Sequence, residues 1–362
     1  MRDSSNRIFI GTMSGTSHDG IDVCAINISN KVTLLKFGPY KYPKKLQESI
    51  SKAIQYQELG LSEYFELNKN IGIAFSKAIN KFLTQNKISK DIVSAIGLSG
   101  QTLFHNPKGK YPFSIQAGDP QIVADECGIN VVSNFRNDHI KLGGEGAPLV
   151  PEFHKKLFHT KKIPLLILNI GGISNFTYID DTGNFFGSDC GPGNALMDIY
   201  CQNYLNRLFD RQGQIAKMGT VHIPSLKKML NHPFFRKHHP KSTGKEIFNM
   251  RFIPKPLLRK SSDDVLATLT ELTAICIAKS INSRKNLLKE VIVCGGGVRN
   301  EFLIHRIDMH TRINLASSNE YGFDPQAIEA MAFGWMARQR VCKNPLVIKK
   351  NRGLLGTITK SK

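Results

Sequence analysis

Two stretches of this chain repeat one plan: a short apolar strand, a tight turn of small residues, then a second apolar strand. In the first, IFIGTMSGTSHDGID (8–22), Ile8, Phe9 and Ile10 lead into a turn rich in glycine and hydroxyl residues, and 21–28 is apolar again. In the second, NIGGISNFTYI (169–179), Gly171 and Gly172 make the turn. Further strand-sized apolar runs at 95–98 and 291–294 also run into glycine-containing turns. Helical patterns lie between them at 64–83 and 266–281. In the latter, Leu266, Leu269, Leu272 and Ile275 mark one face, and Ser261 with Asp264 three residues on forms a capping signal. The alternation predicts an α/β protein with mostly buried strands, built as two similar domains. The expected boundary lies near 134–141, and the Pro-containing stretch 224–256 is expected outside either sheet.

A turn crowded with small residues lets backbone N–H groups approach an anion, and the hydroxyls of Thr12, Ser14, Thr16 and Ser17 add donors to the first one. Asp19 and Asp22 flank that turn. Carboxylates repel a phosphate unless a hard cation such as Mg²⁺ lies between them. Taken alone, the loop also reads as a solvated hairpin. Ligands of α/β folds gather at the carboxyl ends of strands, which is where the glycines fall.

At 362 residues, with 41% apolar and 22% charged residues, the chain has the composition of a folded protein of two domains. No apolar stretch reaches the length of a membrane span, and MRDSSNR enters a strand without an apolar leader, so a cytoplasmic location is expected. Seven scattered cysteines without a CxxC pair predict reduced, mostly buried thiols, with neither zinc nor a disulfide framework. Lys and Arg outnumber Asp and Glu by 49 to 29, giving +20. The charge is dispersed, with modest clusters at 235–245 and 343–362 and no interleaved aromatics. It therefore predicts a surface that attracts anionic substrates, without nucleic-acid binding. His232, His238 and His239 are expected in a solvated basic loop.

Ten segments in order, among them GTMSGTSHDGID, GLSGQTLFHNP, NFRNDHIKLGGEGAPLVP, GSDCGPGNALMD, KSTGKEIFN, CGGGVRNEFL and FDPQAIEAMAFGWMA, resemble the anhydro-N-acetylmuramic acid kinases of the sugar kinase, heat-shock ATPase and actin superfamily. The resemblance implies a two-lobed actin-like ATPase fold of ribonuclease H-like domains, with ATP in a cleft that closes in turnover. It assigns 1–136 to a first lobe with one phosphate loop and part of the sugar site. To a second lobe, 137–362, it assigns the other phosphate loop, the catalytic aspartate and the nucleoside site. It implies a homodimer that converts ATP, water and 1,6-anhydro-N-acetylmuramic acid to N-acetylmuramic acid 6-phosphate and ADP, in recycling of cell-wall amino sugars.

Within that resemblance Asp189 matches the catalytic aspartate. Gly15, Thr16, Ser17, His18, Asp19, Gly20, Ile21 and Asp22 match the ATP loop, with Asp19 on the Mg²⁺ side through water. Gly171 and Gly172 match the second phosphate loop, and Gly295, Gly296 and Gly297 a turn beside the nucleoside. Gln101, Thr102, His105, Gln116, Asp119, Arg136 and Glu329 are the sugar-side candidates. His18, Ser188 and Cys190 depart from the family's leucine, phenylalanine and threonine, and Cys190 is expected to be modestly exposed and slowly reactive. The alternatives are a same-fold kinase of another sugar and an actin- or chaperone-like ATPase. The former would lack NFRNDHIKLGGEGAPLVP and KSTGKEIFN, and the latter would carry a separate peptide-binding region.

Overall fold

A computed structural model describes residues 8–15, 18–56, 58–244 and 246–362. They form two compact units, Met1–Leu157 with Gln326–Lys362, and Phe158–Pro325.

The first unit opens with β1 (Ile8–Met13), β2 (Gly20–Ile28) and β3 (Val32–Lys41), an antiparallel meander in which Ile10 faces Ala25 and Met13 faces Asp22. β4 (Val93–Gly97) then runs parallel to β1. A small hairpin, β5 (Gln101–Asn106) and β6 (Phe113–Ala117), precedes β7 (Val131–Ser133), which lies parallel to β4. β1 is buried along its whole length, because helices cover both faces of the sheet. The helix Leu61–Gln85 contributes Leu67, Ile71, Phe75, Ile79 and Phe82 to the core it shares with Ile8, Ile10 and Ile96. On the other side the helix Ala327–Val341 packs so closely that a Cβ on Gly11 would strike the Ala330 carbonyl.

The second unit repeats that order. β8 (Leu165–Ile170), β9 (Ile173–Ile179) and β10 (Phe185–Pro192) form the meander, and β11 (Glu290–Cys294) and β12 (Asn314–Ser317) continue it in parallel. The sheet order β10-β9-β8-β11-β12 matches β3-β2-β1-β4-β7 of the first unit, so the two domains are similar as the repeated plan predicts, in the ribonuclease H-like arrangement that the family resemblance implies. The described residues of 224–256 add no strand. They carry short helical turns whose Phe234, Phe235 and Phe248 join the core of this unit. The helix Ser262–Asn282, capped by Ser261 Oγ on the Asp264 N–H at 3.4 Å, is buried nearly all round, not along one face.

The chain then returns to the first unit through the helix Ala327–Val341, the hairpin β13 (Leu346–Ile348) and β14 (Asn351–Gly353), and β15 (Thr357–Thr359), which pairs antiparallel with β7. This corrects the expected division at 136/137. Residues after 136 stay with the first unit because Asn137 holds both the N–H and the carbonyl of Ser114, each at 2.8 Å. Residues after 325 rejoin it because their helix covers β1. Among the described residues, no helix is long and apolar enough to cross a membrane.

Candidate active site

In the first unit, the β1–β2 turn is fastened from inside. Ser14 Oγ lies 2.7 Å from Gln101 Oε1 and 2.9 Å from the Gly20 carbonyl, and it accepts the Tyr42 hydroxyl at 3.1 Å. Gln101 Nε2 donates to the Gly15 carbonyl at 3.4 Å. Only 1% exposed, Gln101 is thus committed to shaping the turn, where the resemblance put it against the sugar. Thr12 is likewise internal, its hydroxyl donating to Gly97 O at 3.1 Å, so neither Thr12 nor Ser14 offers the outward donor expected of it. Ile21 is in the core. Asp19 is exposed and Asp22 half-buried. His18 takes a left-handed φ of 43°, unusual for a residue with a side chain. Thr16 and Ser17 lie outside the described residues.

Several sugar-side candidates do come together. Register places Thr102 opposite Gln116 and His105 opposite Ser114. Ser114 Oγ joins them, 2.9 Å from His105 Nδ1 and accepting Gln116 Nε2 at 2.8 Å. Arg136 Nη1 donates to the Gly146 carbonyl at 2.9 Å, and the Gly146 N–H donates to His139 Nδ1 at 2.9 Å. A Cβ on Gly146 would sit 3.1 Å from the His105 ring. Burial, then the Arg136 charge, lowers the His105 pKa to about 4. Burial raises the carboxyl pKa of Glu329 against the pull of Arg136, so the two feel each other's charge.

His105 Nε2 and Arg136 Nε are buried with no hydrogen-bond partner among the described residues. Buried polar atoms are rarely left so, and two in one place suit a polar ligand. Asp119 stands apart: its Oδ1 accepts the N–H groups of Gln121 (2.8 Å) and Ile122 (3.4 Å), capping the helix Pro120–Cys127. Capping explains that carboxylate without a sugar. Ser114, Asn137, His139 and Gly146 were not singled out from sequence, although the NFRNDHIKLGGEGAPLVP motif contains the last three.

In the second unit, the Gly171–Gly172 turn is stitched to the start of the helix Ala195–Tyr204. The N–H groups of Gly193 and Ala195 donate to Gly172 O at 2.9 and 3.0 Å, and that of Asn194 donates to Gly171 O at 2.9 Å. A trans peptide directs its N–H opposite its C=O, so the Gly172 N–H points away from this helix, as an anion-binding turn requires. Gly295 and Gly297 crowd the same strand end. A Cβ on Gly297 would overlap the Ile170 side chain, and Gly295, at φ 84°, abuts Ile170 O. The two glycine turns therefore meet at the carboxyl end of β8.

Asp189, 9% exposed, sits in β10 opposite Asn175, just before a register shift at Gly191. Its N–H donates to Lys241 O at 2.9 Å, and its Oδ2 accepts the Thr243 N–H at 2.7 Å. Thr243 Oγ1 is buried with no partner among the described residues. The KSTG segment thus borders Asp189, a role only its motif could have suggested.

Two expectations fail here. Cys190 is 2% exposed and burial pushes its pKa up to about 12, so it is a packed, inert thiol. His239 is half-buried, its Nδ1 lying 2.6 Å from Ser188 Oγ, and is no solvated loop residue. All seven cysteines are free, and only Cys342 is exposed.

A family model described as "Anhydro-N-acetylmuramic acid kinase" matches residues 7–359. Relatives that carry the same description include one from Gamma-proteobacterium EBAC31A08, 45% identical and covering 99% of this chain and 100% of that protein. One from Sulfurovum sp. (strain NBC37-1) is 40% identical, covering 95% of each. One from Pasteurella multocida (strain Pm70) is 37% identical, covering 92% and 90%.

Proposed function

This chain belongs to the anhydro-N-acetylmuramic acid kinase family, and we propose that it uses ATP and water to open 1,6-anhydro-N-acetylmuramic acid and phosphorylate O6. The products are N-acetylmuramic acid 6-phosphate and ADP, so the enzyme recycles cell-wall amino sugar. The observation that carries the reading is the near full-length match to the family over 7–359.

In the anhydro sugar O6 is an ether oxygen bridged to the anomeric carbon, with no proton for a base to remove. Asp189 instead takes a proton from water as the water oxygen bonds to the anomeric carbon. The bond from that carbon to O6 breaks, O6 bonds to the γ-phosphorus, and ADP leaves. Phosphorus captures the departing oxygen, so no general acid is required.

The Thr243 N–H on Oδ2 holds the base. His105 Nε2 and Arg136 Nε, buried and unpartnered among the described residues, are the groups we assign to the sugar, the first donating or accepting by tautomer and the second donating, with Arg136 facing the lactyl carboxylate. Thr102, Gln116 and Glu329 complete that side. Within the second unit we assign the Gly171–Gly172 turn to phosphate and the Gly295–Gly297 turn to the nucleoside; within the first unit we assign the β1–β2 turn to phosphate. We assign a magnesium ion to the phosphates, with Asp19 nearby. Bound there, Mg²⁺ would neutralise charge on the phosphates. We assign the enzyme to the cytoplasm, as a homodimer.

Incubation with ATP, Mg²⁺ and the anhydro sugar in ¹⁸O-water, quenched before the anomeric hydroxyl exchanges, tests the reading by mass spectrometry. One label at C1 and none on the phosphate is expected. Label on released phosphate, with the sugar unchanged, would mean simple ATP hydrolysis. Asp189→Asn should lower kcat by roughly 10²- to 10⁴-fold with ATP binding retained.

A further inference from the structure

The stretch 239–243 runs beside the end of β10 and is bonded to it at successive residues. Ser188 Oγ accepts the Lys241 N–H at 2.9 Å, the Asp189 N–H donates to Lys241 O at 2.9 Å, and the Thr243 N–H donates to Asp189 Oδ2 at 2.7 Å. Ser188 Oγ also lies 2.6 Å from His239 Nδ1, and His239 Nε2 lies 3.3 Å from Ser280 Oγ on the helix Ser262–Asn282. The imidazole packs edge-on against Phe176, with ring centres 5.1 Å apart.

These bonds fix the proton positions. Burial first, then Lys241, lowers the His239 pKa to about 4, so the ring carries one N–H. Ser188 has one proton and already accepts from Lys241. His239 Nδ1 at 2.6 Å is a nearer acceptor for that proton than Lys241 O at 3.3 Å or Asp189 O at 3.5 Å, which assigns the ring N–H to Nε2, facing Ser280.

The arrangement matters because β10 loses its regular pairing between Asp189 and Gly191. At such a shift, sheet register no longer fixes side-chain direction. The terminal torsion of an aspartate is broad in any case, so its carboxylate plane needs an external hold. Thr243 supplies it, and Thr243 is in turn set by the Lys241 peptide, which Ser188 grips.

We propose that Ser188 and His239 are positioning residues that set the direction of the Asp189 carboxylate through the 241–243 segment. The proposal rests on the reading of Asp189 as the base. Misplacement of a reacting group by about 1 Å can cost 10²-fold in rate, and that is the effect at stake.

The test is steady-state kinetics of the full chain with ATP, Mg²⁺ and the anhydro sugar, alongside thermal melts. Ser188→Ala and His239→Ala should lower kcat roughly 10- to 100-fold, with KM for both substrates within about threefold. His239→Asn, whose amide occupies the Nδ1 position, should recover most of kcat. His239→Gln, whose amide reaches the Nε2 position, should not. The last pair keeps the test decisive if either alanine variant fails to fold.

Parental kcat in folded Ser188→Ala and His239→Ala overturns the proposal while an inactive Asp189→Asn leaves the functional reading intact. Equal kcat in the Asn and Gln variants overturns it too. Parental kcat in Asp189→Asn overturns the base assignment and the positioning role together.

Discussion

The Arg136 guanidinium donates through Nη1 to Gly146 O at 2.9 Å, and its charge, second to burial, keeps the neighbouring His105 imidazole neutral. Removing that charge has a signed consequence. In Arg136→Met the His105 pKa should climb from about 4 while burial still holds it below 6.5, as an NMR titration of the ring would read. KM for the sugar should rise more than KM for ATP. An unmoved His105 resonance would separate the two residues electrostatically.

Acid should destabilise this protein through its histidines. His105, His139 and His239 have pKa values lowered to about 4 and His154 to about 3, in each case chiefly by burial, from an ordinary 6.5. Between those values the unfolded chain binds more protons than the folded one, so stability rises with pH. The contribution is complete above 6.5 and is lost as pH falls towards 4. Denaturant midpoints between pH 7 and 4 should fall accordingly, and His154→Gln should flatten the slope. A slope that the variant leaves unchanged would exonerate His154.

Native alkylation should be confined and harmless. Cys342 is the one exposed thiol, and burial pushes those of Cys127, Cys190 and Cys201 up to about 12. Intact-mass analysis should show one adduct per chain with activity retained. Loss of activity in step with a second adduct, mapped to Cys190 by peptide mass, would mean that Cys190 opens to solvent.

Gly11→Ala should cost about 3 kcal/mol, the upper end of the usual range for overpacking, because its Cβ meets the Ala330 carbonyl, a backbone atom that cannot rotate away. The shift in denaturant midpoint measures it. A parental midpoint would show that the helix Ala327–Val341 can retreat from β1.

The first two strands of each meander were legible because apolar runs flank a glycine turn, whereas β3, with its mixed polar and apolar residues, and β10, broken by Gly187, Asp189 and Gly191, carry no such run. The helix Ser262–Asn282 was legible in extent but not in burial, since Thr268, Thr270 and Thr273 lie in the interior with their hydroxyls bonded at 2.7, 3.1 and 2.9 Å. The boundary at 157 was not, because nothing in composition changes there and the return of the last helix to β1 is a contact between residues over 300 positions apart. Gln101 and Asp119 read as ligand groups because a polar side chain at a strand end suggests one. The structure turns one to the β1–β2 loop and the other to a helix cap. Asp119 before Pro120 does carry a cap signature, which the motif outweighed. His239 could not be read at all, since its partners at 188 and 280 are distant in the chain.

Because Gln326–Lys362 completes the first unit, the second is an insertion in it, and this reverses the usual order of events on the ribosome. Residues 158–325 leave the exit tunnel as one continuous stretch and can close their core while synthesis continues. β1, made before that stretch, waits for the helix Ala327–Val341, made after it, before its second face is covered. In the interval a strand of Ile8, Phe9 and Ile10 stays half-dressed, a natural client for whatever holds nascent apolar chains apart. A stop codon between 326 and 334 would leave the inserted unit whole and the face of β1 that Ala330 and Gly334 cover bare.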